Sequence, residues 1–128
     1  MDSTPFTILV AEDEDEMRSL VGNVLRRNGY KVLEAANGEE ALELASGYSG
    51  PIHLLLTDIT MPVLNGWELH RRLRTERPGT ATLFMSGNFE PTLMRFSVFL
   101  PKPFGPAQLL EKVRGVFKSP ADETEGKV

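Results

Sequence analysis

The 128-residue chain has no cysteine, which excludes both a disulfide scaffold and a thiolate metal site. It has no apolar run near the roughly 18 residues that a transmembrane helix needs. Met1 to Thr7 carries no basic stretch leading into a long apolar one, so no secretory signal is visible. These absences fit a reducing compartment, and a soluble, cytoplasmic chain with no membrane contact of its own is the expectation. Positive charge is also short. Fourteen basic residues against eighteen acidic give a net charge of −4, which argues against nucleic acid as a direct ligand. The one basic cluster, Arg71-Arg72-Leu73-Arg74 with Arg77, reads as a solvated helix face. What the chain does have is 41% hydrophobic content, enough for one domain with a real core and no room for a second.

Apolar periodicity alternates between two kinds along the chain. Phe6 to Ala11 reads as a strand, followed by a helix with Met17, Leu20, Val21, Val24 and Leu25 on one stripe and Asn28-Gly29 as its C-cap. Lys31 to Ala35 is a second strand. Asn37-Gly38-Glu39-Glu40 starts a helix through Ala41, Leu42, Leu44 and Ala45, which Gly47 to Pro51 breaks. Ile52 to Thr57 is the third strand, and Asn65 caps a helix with Trp67, Leu69 and Leu73 before Pro78-Gly79. Ala81 to Met85 and Ser97 to Leu100 are strands four and five. Gly105-Pro106 opens a last helix with Leu109, Leu110, Val113, Val116 and Phe117, proline being suited to the first helical position. Strands alternating with helices predict a doubly wound five-stranded parallel sheet, and a flavodoxin-like order 2-1-3-4-5 would set strands one and three side by side.

Four of the strands end in reactive polar residues: Glu12-Asp13 after strand one, Asp58 after strand three, Ser86 after strand four and Lys102 after strand five. Ligands bind at the carboxyl edge of an open parallel sheet, so three carboxylates, a hydroxyl and an ammonium should converge there. A divalent cation and a phosphoryl group together require that mixture of hard oxygen donors and one lysine.

Glu12-Asp13, Asp58 with Ile59-Thr60-Met61-Pro62 and Asn65-Gly66, Ser86-Gly87, and Lys102-Pro103-Phe104 occur in the order found in the receiver domain of two-component response regulators, the CheY-like family. The chain resembles that family over about Phe6 to Phe117, and the wording Leu83-Phe84-Met85-Ser86-Gly87 is similar to receivers of bacterial hybrid sensor histidine kinases. The resemblance implies a receiver domain at 5–118 with a flexible polar tail at 119–128. It implies a phosphoacceptor switch in which Asp58 takes a phosphoryl group from a histidine kinase or histidine phosphotransfer domain and the altered surface acts on a downstream effector. Mg2+ would be held by Asp13, Asp58 and the backbone carbonyl of Thr60, with Glu12 acting through a water. Lys102 would contact a phosphoryl oxygen, and would pair with Asp13 or Asp58 when no phosphoryl is present. Ser86 would donate its hydroxyl to another oxygen and move with Phe99 as the switch, Phe99 being equally readable as a core aromatic. Thr60 and Asn88 would flank the pocket, and Lys102-Pro103 would be a cis peptide. Such a chain phosphorylates and dephosphorylates itself and is not an enzyme on separate substrates. A homodimer is left open.

One stretch departs from the family. Only eleven residues, 86 to 96, separate Met85 from Ser97, whereas a mean helix of about 11 residues with two loops of roughly 2 to 6 would need more. The fourth helix is therefore expected to be shortened or disordered, which keeps a docking module independent of phosphorylation as the alternative. Other classes fit less well. An EF-hand loop from Asp13 would need glycine and glutamate where Arg18 and Val24 stand. A phosphatase with an aspartate nucleophile of the haloacid dehalogenase type needs a second Asp at Thr60. A flavodoxin phosphate loop is replaced by the repelling run Glu12-Asp13-Glu14-Asp15. His53 and His70 read as structural, and Trp67 as a packing residue.

Overall fold

The computed structural model describes residues 5–87 and 99–117. Its elements are β1 (Thr7–Ala11), α1 (Asp15–Arg27), β2 (Lys31–Ala35), α2 (Gly38–Gly47), β3 (Leu54–Asp58), α3 (Gly66–Glu76), β4 (Ala81–Ser86), β5 (Phe99–Pro101) and α4 (Pro106–Phe117). All five strands are parallel in the order β2-β1-β3-β4-β5, as the alternating pattern predicted. Strands one and three begin one and two residues later than expected, and strands three and four each run one residue further. The stretch expected to hold the shortened fourth helix, with Asn88, lies outside the described residues, as does the tail at 119–128.

Each strand sends alternate side chains to opposite faces, and both faces are covered. Ile8, Val10, Leu54, Leu56, Leu83, Met85 and Leu100 point to a layer filled by Val21, Val24 and Leu25 of α1 with Leu109 and Val113 of α4. Leu9, Ala11, Ala35 and Leu55 meet Ala41 and Ala45 of α2 and Leu69 and Leu73 of α3 on the other face. Burial on both faces is why the strands read as continuous apolar runs. A fully buried leucine such as Leu55 is worth about 2–5 kcal/mol against alanine. Leu20, placed on the buried stripe by periodicity, is 53% exposed; it lies at the margin of the arc that α1 turns inward.

The helix starts follow local chemistry. Asn37 Oδ1 accepts from the Glu40 N–H at 2.8 Å and Asn65 Oδ1 from the Glu68 N–H at 2.9 Å, each satisfying an orphan donor of the first turn. Asp15 and Glu16 open α1 and Arg26 and Arg27 close it, in the sense that complements the helix dipole. At the amino edge of the sheet the Phe6 ring stacks on Phe117, centroids 4.3 Å apart, and meets His53 edge-on at 4.8 Å. His53 Nδ1 accepts from the Thr7 N–H at 2.9 Å and its own N–H donates to the Thr7 carbonyl at 2.9 Å, so this histidine is structural.

Candidate functional site

Strands β1 and β3 are neighbours with Ala11 opposite Thr57, so their carboxyl ends bring Glu12 and Asp13 beside Asp58. One carboxylate oxygen from each of the three lies within 4.8 Å of the other two. Their environments differ. Glu12 still bonds to β2 through its N–H and is 1% exposed, while Asp13, one residue beyond that bond, faces solvent; Asp58 is largely buried.

Lys102 closes the site from β5. Its N–H donates to the Ser86 carbonyl at 2.7 Å, which carries the β4–β5 pairing one residue past the strand, and the Lys102–Pro103 bond is cis. Its Nζ lies 2.9 Å from Glu12 Oε1 and 3.1 Å from Asp58 Oδ2. Sequence reasoning offered Asp13 or Asp58 as partner; Asp58 is one, and Glu12, not Asp13, is the second. Glu12 is the acid turned toward the interior, where an unpaired charge would be costly. Its second oxygen, Oε2, accepts from the Glu14 N–H at 3.1 Å.

Burial nonetheless raises the Glu12 carboxyl above its ordinary 4.5, against the pull of Lys102 and the Glu14 amide. Burial alone would lower Lys102, but Glu12 and Asp58 together outweigh it and hold the ammonium above its ordinary 10.5.

Ser86 is buried at the end of β4, where the Ile59 N–H donates to the Met85 carbonyl at 3.0 Å and ties β4 to the residue after Asp58. Phe99 is 3% exposed and sits in register with Phe84, as a core aromatic. Thr60 is exposed in the bend two residues after Asp58. Beyond it Val63 has φ 73° and is flanked by a 2.7 Å bond from the Leu64 N–H to the Pro62 carbonyl, the pattern of a γ-turn centred on a valine. Trp67, read as a packing residue, packs on Phe84 with centroids 4.3 Å apart yet is 43% exposed. His70 Nδ1 lies 2.7 Å from Thr82 Oγ1, and burial with nearby Arg74 lowers its pKa, a structural role again.

One residue that sequence reasoning passed over reaches the site. Arg18 Nη1 donates to the Glu12 carbonyl at 2.9 Å. The signal for it was the arginine in the first turn of the helix that follows the acid loop.

A parallel sheet of this order, with acids and a lysine gathered at its carboxyl edge, defines a CheY-like α/β domain. The sequence profile of the response regulator receiver domain matches residues 8–114, and the chain belongs to that family. It is 38% identical over 115 residues to the sensor kinase CckA of Brucella abortus (strain 2308), covering 84% of this chain and only 12% of that kinase. It is 35% identical over 112 residues to the response regulator receiver protein CpdR of the same organism, covering 83% of this chain and 92% of CpdR. The chemotaxis response regulator CheY4 of Vibrio cholerae superposes with a TM-score of 0.79 at 29% identity, covering 89% of this chain and all of that one (100%).

Receiver domains bind Mg2+ through an acidic pocket, and Glu12, Asp13 and Asp58 form such a pocket here. The donor set fits a small hard cation that keeps several waters: all donors are oxygens, and Asp13 opens the group to solvent. Among the described residues, no helix is long and apolar enough to cross a membrane.

Proposed function

We propose that the chain is the phosphoacceptor switch of a two-component phosphorelay and that Asp58 is the acceptor. The observation that carries this reading is the Lys102 ammonium 3.1 Å from Asp58 Oδ2, held at the mouth of a three-carboxylate pocket. An Asp58 carboxylate oxygen attacks phosphorus; the new O–P bond forms as the P–N bond of a phosphohistidine breaks, and the electron pair leaves on the imidazole nitrogen. Lys102 places its positive charge on a phosphoryl oxygen, and Ser86 donates its hydroxyl to another. Asp13, Asp58 and the Thr60 carbonyl would hold Mg2+, with Glu12 acting through a water. The ion neutralises charge on the transferring group when bound. Water attacking phosphorus later breaks the same O–P bond and restores the carboxylate.

The chemistry begins and ends on the chain's own aspartate, so it is a switch and not an enzyme turning over separate substrates. Its partners on this reading are a histidine kinase or phosphotransfer domain as donor and an effector as reader, in a bacterial cytoplasm. On this reading Ser86, buried at the end of β4, and Phe99, buried in β5, move together as the switch.

Intact mass after incubation with Mg2+ and acetyl phosphate tests this. One phosphoryl group is expected on the wild type and none on Asp58→Asn. No adduct on the wild type overturns the reading and leaves a docking module that works without phosphoryl transfer.

A further inference from the structure

Arg18, Gly22 and Arg26 recur every four residues on one face of α1, and that face lies over Glu34 of the edge strand β2. Gly22 makes the close approach feasible, because a Cβ built on it would overlap Glu34 Oε2. Glu34 therefore sits against the helix backbone between the two arginines. Arg26 Nη1 is 2.9 Å from Glu34 Oε2, and Arg18 Nε is 3.7 Å from Oε1. Arg18 is thus gripped from the side by β2. Its two terminal nitrogens are also engaged: Nη2 donates to Asp15 Oδ1 at 2.7 Å and Nη1 to the Glu12 carbonyl at 2.9 Å.

The Glu12 carbonyl shares one rigid plane with the Asp13 nitrogen. On the other side of the Glu12 Cα, its N–H is bonded to the Ala35 carbonyl at 3.1 Å. Both peptide planes flanking Glu12 are therefore pinned, one to β2 directly and one through Arg18, and the direction in which Asp13 leaves the strand is set by the pair.

We infer that Arg18 is a positioning residue for cation binding: through the Glu12 carbonyl it aims Asp13, and Glu34 aims Arg18. The inference rests on the proposed function, since it concerns the same pocket. Two effects of opposite sign are in play. As a cation held on the main chain of Glu12, Arg18 repels a second cation in the pocket, so its charge alone would weaken binding. As a brace it strengthens binding by fixing a ligand. The guanidinium fork makes two hydrogen bonds, to Asp15 Oδ1 and the Glu12 carbonyl, and an ion pair with Glu34 at 3.7 Å, whereas a lysine in its place keeps the charge but gathers its donors on one nitrogen, without the planar fork that spans these partners.

Calorimetric titration of MgCl2 into the full chain separates the two. Arg18→Lys and Arg18→Met are both expected to bind Mg2+ about tenfold more weakly, at the low end for outer hydrogen-bond partners of a metal site. Glu34→Gln, which leaves Arg18 in place but loosens it, is expected to weaken binding in the same direction. In the metal-free protein the Glu14 N–H, bonded to Glu12 Oε2, should exchange with solvent faster in all three variants. Wild-type affinity in Arg18→Lys, or tighter binding in Arg18→Met, overturns the inference while leaving the proposed function standing. If the Arg18 variants do not fold, Glu34→Gln decides alone, and wild-type affinity there overturns it. A wild-type chain that binds no Mg2+ overturns the proposed function and this inference together.

Discussion

Gly66 lies flush against the Asp58 carbonyl. A Cβ built on Gly66 would overlap that oxygen and come 3.0 Å from the Ile59 Cα, and both are backbone atoms that cannot swing aside. The Gly66 N–H meanwhile donates to the Ile59 carbonyl at 2.8 Å. The start of α3 is thus pressed onto the turn that leaves Asp58. Gly66→Ala is expected to cost about 1–3 kcal/mol, the range for overpacking, read as a lower urea midpoint. It should also slow modification of Asp58 by acetyl phosphate, because the displaced atoms belong to that residue. An unchanged midpoint and rate would contradict the crowding.

Glu12 should leave a signature in the pH dependence of stability. Its folded pKa is raised above the ordinary 4.5, so the folded state holds the proton more tightly than the unfolded one. The stability it contributes is complete below 4.5 and is lost as pH rises through the higher folded value. Glu12→Gln cannot titrate. The difference in unfolding free energy, Gln variant minus wild type, is therefore expected to grow more positive as pH rises from 4.5 toward neutrality, measured by urea titrations across that span. A difference that stays flat would mean the carboxylate carries no such penalty. Lys102 acts at the alkaline end: its folded pKa is raised from 10.5, so its contribution is whole below that value and is lost above it.

Val63 is 70% exposed, β-branched and held at φ 73°. A non-glycine residue in such a region stores about 1–3 kcal/mol, whereas glycine adopts it freely at an entropic cost of roughly 0.5–1 kcal/mol. Val63→Gly should therefore stabilise the chain by on the order of 1 kcal/mol, seen as a raised melting temperature. A fall in melting temperature would show that the valine side chain contributes more than its backbone costs.

His53 combines a ring contact with a hydrogen bond, and the two can be separated. His53→Phe keeps an aromatic edge against Phe6 but leaves the N–H of buried Thr7 without its acceptor. The expected loss is about 1–3 kcal/mol, the cost of an orphaned buried donor. His53→Ala should lose more. If the phenylalanine variant matches wild type in chemical denaturation, the bond is energetically silent.

The sheet was legible because its strands are buried on both faces and its helices carry one apolar stripe, two periods that are hard to confuse. The convergence of Asp13, Asp58 and Lys102 was legible because each stands at or just past the end of an apolar run, Asp13 after Glu12 and Asp58 after Thr57. Asp58 was read as a partner of Lys102, but the second partner, Glu12, was not, since Glu12 and Asp13 are equivalent as adjacent acids in a one-dimensional view. Parity along β1 could not separate them, because Leu9 and Ala11 on one face are as buried as Ile8 and Val10 on the other; what buries Glu12 is its place at the end of the sheet, with its N–H on the Ala35 carbonyl and its carboxylate on Lys102. Leu20 misled in the opposite way, being apolar at helical spacing yet outside the arc that α1 buries. Arg18 carried no motif at all. Its role comes from the Glu34 carboxylate and the Glu12 carbonyl, which meet it through strand pairing and helix packing.

The Phe6–Phe117 stack brings the first strand's approach and the last helix's exit to the same end of the molecule, on the side of the sheet away from the acids. A five-residue strand spans roughly 17 Å. A dye, tag or surface anchor joined at either of these rings would therefore stand about one strand length from the carboxylates. Both attachment points could be used at once, for immobilisation and for readout, with the pocket still facing solution.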